Sequence, residues 1–227
     1  ARIKEDWSTH VTDEDIVFLV GDMSWALRLD EATYDLQEIA SMPGKKYMIR
    51  GNHDYWWASA NKMRNLMGDT ITFLQGHGTA ELILTEEGPR IIAFGGTRAY
   101  LCPGDSHFSP ETDQSIYERE LMRTEAALQE MDTAVETLLQ QLTAETNMEI
   151  TGSEISENTI GSEISEPLTI DIHNIPVTKL LLLHYPPFNE SNAPSGFTDL
   201  MEQYNVDTCI FGHLHDQISF KRIPKEF

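Results

Sequence analysis

Four short apolar runs in this sequence each stop on residues that can bind a metal. "DIVFLVGD" ends on Asp22, and "KKYMIRGNHD" carries Asn52 and His53 at its end. "KLLLLHYPP" passes into His184, and "DTCIFGHLHD" into His213 and His215. A short run of apolar residues bounded by Gly, Pro or charge is the pattern of a strand buried on both faces. A chain with several such runs must build sheets that are covered on both sides. Open α/β sheets place their sites at the carboxyl ends of strands. A lone His at a strand end is more often a satisfied core residue, but four ends carrying Asp, Asn and His together are hard to explain as packing.

The segments between the runs supply the cover. "LDEATYDLQEIASM" spaces Leu29, Tyr34, Leu36, Ile39 and Met42 as one helical face, stopped by Pro43 and Gly44. "ASANKMRNLMGD" reads as a second helix closed by Gly68. "TITFLQ", "AELILTEEG" and "RIIAFGG" then read as strands punctuated by Gly turns, antiparallel or mixed. The longest periodic segment runs from about 113 to 144. Tyr117, Leu121, Leu128, Met131, Val135, Leu138 and Leu142 step by threes and fours, with Thr124 a polar gap and charges on the other face. That pattern predicts an amphipathic helix covering a sheet, with a coiled-coil partner surface as the alternative. Near the C-terminus, "SGFTDLMEQYNV" reads as a helix capped near Ser195 or Thr198. Strand and helix in alternation, followed by strands, predict a layered α/β protein with two sheets or one mixed sheet.

Residues 147–176 break the pattern. "GSEISE" occurs twice there, in a stretch with acids and no Lys or Arg. Such bias predicts a low-complexity acidic insertion, flexible or a loose hairpin, with His173 an exposed loop residue. The remainder reads as a single domain over 1–227, a length sufficient for one sizeable core.

The formal charge of −21 argues against a broad nucleic-acid surface, which needs Lys and Arg to displace counterions. A nucleic-acid partner is therefore not expected, although strand-end aromatics are compatible with one. No apolar run approaches the roughly 18 residues of a membrane span, and no signal peptide is read at the start of the sequence. Cys102 and Cys209 read as free thiols. Together these features predict a soluble cytoplasmic protein.

Imidazole mixed with carboxylate and amide oxygen suits Mn, Fe, Zn or Co, and the absence of thiolates disfavours a structural zinc site. A hydrolytic centre with open metal positions is the expected use of such a set.

The motifs "GDMSWA", "GNHDYWW", "LLHYPP" and "GHLH", in this order, resemble those of the calcineurin-like metallophosphoesterases. They are most similar to a bacterial group of phosphohydrolases with Ser-Trp-Ala after Gly-Asp and Tyr-Trp-Trp after Gly-Asn-His-Asp. The resemblance covers roughly residues 1–145 and 177–216. It implies a four-layer α/β/β/α sandwich with two divalent metal ions at the sheet ends. Asp22 would bridge both metals, Asn52, His184 and His213 would complete one, and His215 would serve the other. His53 would act at the leaving group, with Asp54 orienting and charging it. Asn52 and Arg98 would contact the substrate, a surface ion pair being the competing role for Arg98. Tyr55, Trp56 and Trp57 are expected to pack helix against sheet. The implied activity is hydrolysis of a phosphomonoester or phosphodiester by attack of a metal-bound hydroxide.

The sequence departs from that pattern at its start. The family carries Asp-x-His after its first strand, whereas "ARIKEDWSTHV" reads as the helix that follows, and Asp6 and His10 have the wrong spacing. The expectation is a sandwich without its first strand, truncated at the N-terminus and also short at the C-terminus. Two ligands would be missing, so this chain is expected to hold one metal, with low activity and solubility. A non-catalytic scaffold that keeps the fold, or an inactive fragment of an active parent, is the competing function.

Overall fold

The computed structural model describes residues 2–152 and 172–214. His215, the side chain of His173 and most of the 147–176 insertion lie outside the described residues.

Two sheets form. In the first, β1 (Ile16–Leu19), β2 (Lys45–Met48) and β3 (Ile71–Phe73) lie parallel in that order, with Leu19 opposite Met48 and Met48 opposite Phe73. In the second, β4 (His77–Thr85) and β5 (Gly88–Thr97) make an antiparallel hairpin. There β6 (Val177–Leu183) and β7 (Thr208–Phe211) extend β5 in parallel, giving the order β4-β5-β6-β7. The parallel strands β1, β2, β5, β6 and β7 correspond to the continuous apolar runs, because both of their faces are buried.

The faces sort by alternation along each strand. Leu19, Met48 and Ile71 point to a cluster with Ala32 and Leu36 of α2 (Leu29–Ala40) and with Met63 and Met67 of α3 (Ala60–Met67). Phe18, Tyr47 and Ile49 point the other way, onto Phe94, Leu182 and Ile210 of the second sheet. Phe94 meets Phe18 and Tyr47 edge-on, at centroid separations of 4.9 and 4.5 Å. Ala93, Leu181 and Leu183 face outward onto Tyr117, Leu128 and Met131 of α4 (Pro110–Gly152) and Phe197 of α5 (Gly196–Gln203). The layers are therefore α/β/β/α, the expected sandwich. Helix α1 (Arg2–His10) precedes β1, which is an edge strand, and Trp7 packs on the first cluster.

Several local expectations hold for stated reasons. Helix α5 is closed by a capping box in which Ser195 Oγ accepts from the Phe197 N–H while Thr198 Oγ1 accepts from the Ser195 N–H, so both predicted cap residues act. Gly68 closes α3 at φ +57° and ψ −134°, a backbone conformation that only glycine adopts readily. Helix α2 ends at Ala40, where the Lys46 ammonium donates to the carbonyls of Ala40 and Met42. Both cysteines are free. No helix among the described residues is long and apolar enough to cross a membrane.

Others need correction. Tyr34, expected on the buried face of α2, is 69% exposed and donates to Glu38; Ala32 takes the buried position instead. Helix α4 covers the second sheet as expected, yet it continues to Gly152, beyond the end of its apolar stripe and into the first residues of the insertion. Its charges are not all on the outer face either, because Glu120 is fully buried.

Candidate active site

The carboxyl ends of β1, β2, β6 and β7 meet at one rim, where the two sheets are tied directly. His184, after β6, sets its Nδ1 2.8 Å from the carbonyl of Val20, after β1. The Gly212 N–H, after β7, donates to the His184 carbonyl at 3.2 Å. Glycines allow this closeness. A β-carbon on Gly21 would lie 2.6 Å from Gly51 Cα and 2.7 Å from His184 Nδ1, and one on Gly51 would lie 2.1 Å from Asp22 Oδ1. Gly21 also holds φ +92°. Gly51 is needed for this approach and not for a left-handed turn.

Two of the expected ligands are themselves in the left-handed region, Asp22 at φ +58° and His213 at φ +67°. That region is costly for residues with a β-carbon and is concentrated at functional sites. Asp and His enter this region more readily than most residues with a β-carbon, and the packing at the rim holds them there.

Asn52 is the centre of the cluster. Its Oδ1 lies 2.6 Å from His184 Nε2 and 3.0 Å from His213 Nδ1. The two imidazoles approach to 3.3 Å, and Asp22 Oδ2 lies 3.4 Å from His184 Nε2. Tyr185 stacks on His213 with ring centroids 4.1 Å apart. Burial lowers the pKa of His184, against the opposing pull of the Val20 carbonyl and Asp22. The Val20 carbonyl can only accept, so Nδ1 carries the proton and Nε2 presents a lone pair. That lone pair faces an amide oxygen and a carboxylate oxygen, which are also acceptors.

Such a set fits a divalent cation. Donors held about 2.1 Å from one ion in a tetrahedron stand roughly 3.4 Å apart, and the spacings here run from 2.6 to 3.4 Å. The His184 Nδ1–carbonyl bond is the usual partner that fixes a ligating imidazole. Among the described residues no three His, Cys, Asp or Glu side chains form a metal-holding group by themselves. The amide oxygen of Asn52 lies between the two imidazoles, and the Asp22 carboxylate approaches His184 directly.

His53 lies on the outer side of Asp22. Its backbone N–H donates to Asp22 Oδ1 at 2.8 Å, and its ring Nδ1 to Oδ2 at 3.0 Å. Its Nε2 lies 3.3 Å from the Asn52 amide nitrogen. Burial pushes the Asp22 carboxyl up, but the bonds from His53 and the nearby imidazoles outweigh it, and the net shift is down.

The expected role of Asp54 is corrected. It is fully buried and does not orient His53. Its two oxygens accept from the backbone N–H groups of Gly51, Asp22 and Met23 and from the Trp56 indole, at 2.7 to 3.0 Å. All the acceptor positions of the carboxylate are thereby used. Asp54 fastens the β1 exit to the β2 exit, and Asp22 is the carboxylate partner of His53.

Arg98, after β5, is not a surface ion pair. Its side chain is 17% exposed, 4.0 Å from Glu120, and lies over the Tyr100 ring. Its carbonyl accepts from the Tyr185 N–H, which puts its backbone beside His184. Glu120 also accepts from Thr97 Oγ1 at 2.5 Å and Arg123 at 2.6 Å. Sequence reasoning missed Glu120 and also Arg50, whose pKa is lowered by burial and by the charge of Arg98. The one available signal was an arginine immediately before the Gly-Asn-His-Asp turn. Of the three aromatics after that turn, Trp56 is in the core and Trp57 packs on it, but Tyr55 is exposed.

An α/β/β/α sandwich with acid, amide and imidazole donors gathered at its strand ends defines the metallophosphoesterase class. A family model for the calcineurin-like phosphoesterases matches residues 2–217, and the chain belongs to that family. Membership points to metal-dependent phosphoester hydrolysis. No curated relative matches the chain.

Proposed function

We propose that this protein hydrolyses a phosphomonoester or phosphodiester at the rim built by Asp22, Asn52, His53, His184 and His213. The observation that supports this most is the convergence of Asn52 Oδ1, His184 Nε2 and Asp22 Oδ2, three lone-pair donors facing one another at 2.6 and 3.4 Å from the imidazole nitrogen. Asp22, Asn52, His184 and His213 would hold a divalent ion there. When bound, that ion supplies Lewis acidity toward phosphoryl oxygens and lowers the pKa of water.

The chain's own groups supply the rest. Asp22 fixes the His53 ring through Nδ1, so Nε2 is the nitrogen that handles the proton. His53 is one-third exposed at its side chain, which lets a leaving-group oxygen reach it. It serves there as general acid or hydrogen-bond donor. Arg98, with Arg50 beside it, supplies positive charge for the phosphoryl oxygens.

The test is turnover of p-nitrophenyl phosphate and bis(p-nitrophenyl) phosphate with added Mn²⁺. Turnover is expected with at least one ester and is expected to cease on chelation. His53→Ala should lower kcat by about 10²- to 10⁴-fold, the range for loss of a general acid. Absence of turnover with both esters would favour a scaffold that keeps the fold without its chemistry.

A further inference from the structure

The "SWA" and "YWW" motifs leave two large aromatic side chains with no packing role. Trp25 is 78% exposed and Tyr55 is 58% exposed. Single exposed hydrophobic side chains are ordinary, whereas exposed ones gathered about one functional group mark a binding site. Both border the same group. The Trp25 ring lies 5.3 Å from the His53 imidazole, tilted by 31°, and the Tyr55 ring lies 6.1 Å away, nearly edge-on. Each is brought there by a site element, Trp25 by the chain leaving β1 after Asp22 and Tyr55 by the turn that carries His53. Trp25 also borders a groove of about 540 Å³ walled by Trp7, Leu19, Met23 and Ile39.

We infer that Trp25 and Tyr55 form a leaving-group subsite, and that the substrate is a phosphoester whose leaving alcohol carries a planar aromatic ring. This rests on the proposed reading of His53 as the residue facing the leaving-group oxygen. Both rings border the side chain that faces the leaving group, within reach of a group departing past it. An aliphatic polar alcohol such as glycerol would strip water from both without compensating contact. A flat ring stacks on the Trp25 indole and meets the Tyr55 edge, geometries in which aromatic pairs attract. The groove beyond Trp25 gives the remainder of the leaving group room. The ring can belong to an aryl ester or to a nucleobase, because both present the same π-face.

Non-hydrolysable ligands test this without turnover. Phenylphosphonate, the phosphonate analogue of adenosine 5′-monophosphate, and methylphosphonate are titrated calorimetrically into the Mn²⁺-loaded protein. At least one ring-bearing ligand should bind about 10-fold more tightly than methylphosphonate, as expected for one aromatic stack. Which of the two it is separates the aryl source from the nucleoside source. Trp25→Ala should shrink the preference to less than twofold, and Trp25→Phe should keep most of it. Equal affinity for all three ligands, or a preference that survives Trp25→Ala, overturns the ring subsite alone. Failure of all three to bind overturns the phosphoester reading and this subsite with it.

Discussion

Replacing Asn52 with alanine should reduce turnover by ~10²-fold or more and weaken divalent-metal binding by at least as much. Loss of a group that merely supports a metal ligand costs about 10- to 100-fold in affinity or activity, and Asn52 stands among the ligands themselves. Its Oδ1 is the atom shared by His184 and His213, and its amide nitrogen reaches His53. Removing it takes away the oxygen between the two imidazoles and the amide beside His53 Nε2, while Asp22 still holds the His53 ring. The fold should survive, because Asn52 is only partly buried and is not in a strand. Metal titration with circular dichroism as a fold control checks the prediction. A variant that keeps wild-type affinity and rate would show that Asn52 is not a donor.

Asp54→Ala should have the largest effect on stability. Three backbone N–H groups and the Trp56 indole lose their acceptor together, at a position with no exposure. A buried donor left unsatisfied costs on the order of 1–3 kcal/mol. Partial entry of water into the gap brings the total to about 4 kcal/mol, at the top of the range for point substitutions. For a domain of this size that lowers Tm by about 10 °C. Thermal unfolding of the two proteins reads it directly. A drop of only a degree or two, with activity lost, would restore the catalytic role for Asp54 and contradict the structural one.

The contrast between Asn52, His53 and Asp54 shows what local sequence can and cannot reveal. The strand ends were readable because a strand buried on both faces must be a continuous apolar run, and the first polar residues after it mark its exit. The identity of the donors at those exits follows from residue type alone. Partnership does not. Asp54 adjoins His53 in the chain, but successive side chains on a turn leaving a strand diverge, so Asp54 turns inward to the backbone of the neighbouring exit. The partner of His53 is Asp22, 31 residues earlier, brought close by the parallel pairing of β1 with β2.

Burial on helices failed for the same reason. Tyr34 and Glu120 each sit where periodicity assigns the wrong exposure. Tyr34 finds a partner in Glu38 at the surface, whereas Glu120 is drawn inside by Thr97 and Arg123. Each outcome depends on a specific polar contact that the spacing of apolar residues does not encode. The exposure of Trp25 and Tyr55 is the same kind of fact, visible only once the rim is assembled.

Metal stoichiometry is the most direct measurement of the central claim, that Asp22, Asn52, His184 and His213 together hold a divalent ion. The chain is stripped with a chelator, reloaded with Mn²⁺ or Zn²⁺, dialysed, and analysed for metal beside His184→Ala. At least one ion per chain should remain in the wild type and be lost in the variant. A wild-type chain that retains none, or a His184→Ala chain that retains its full complement, would contradict the account.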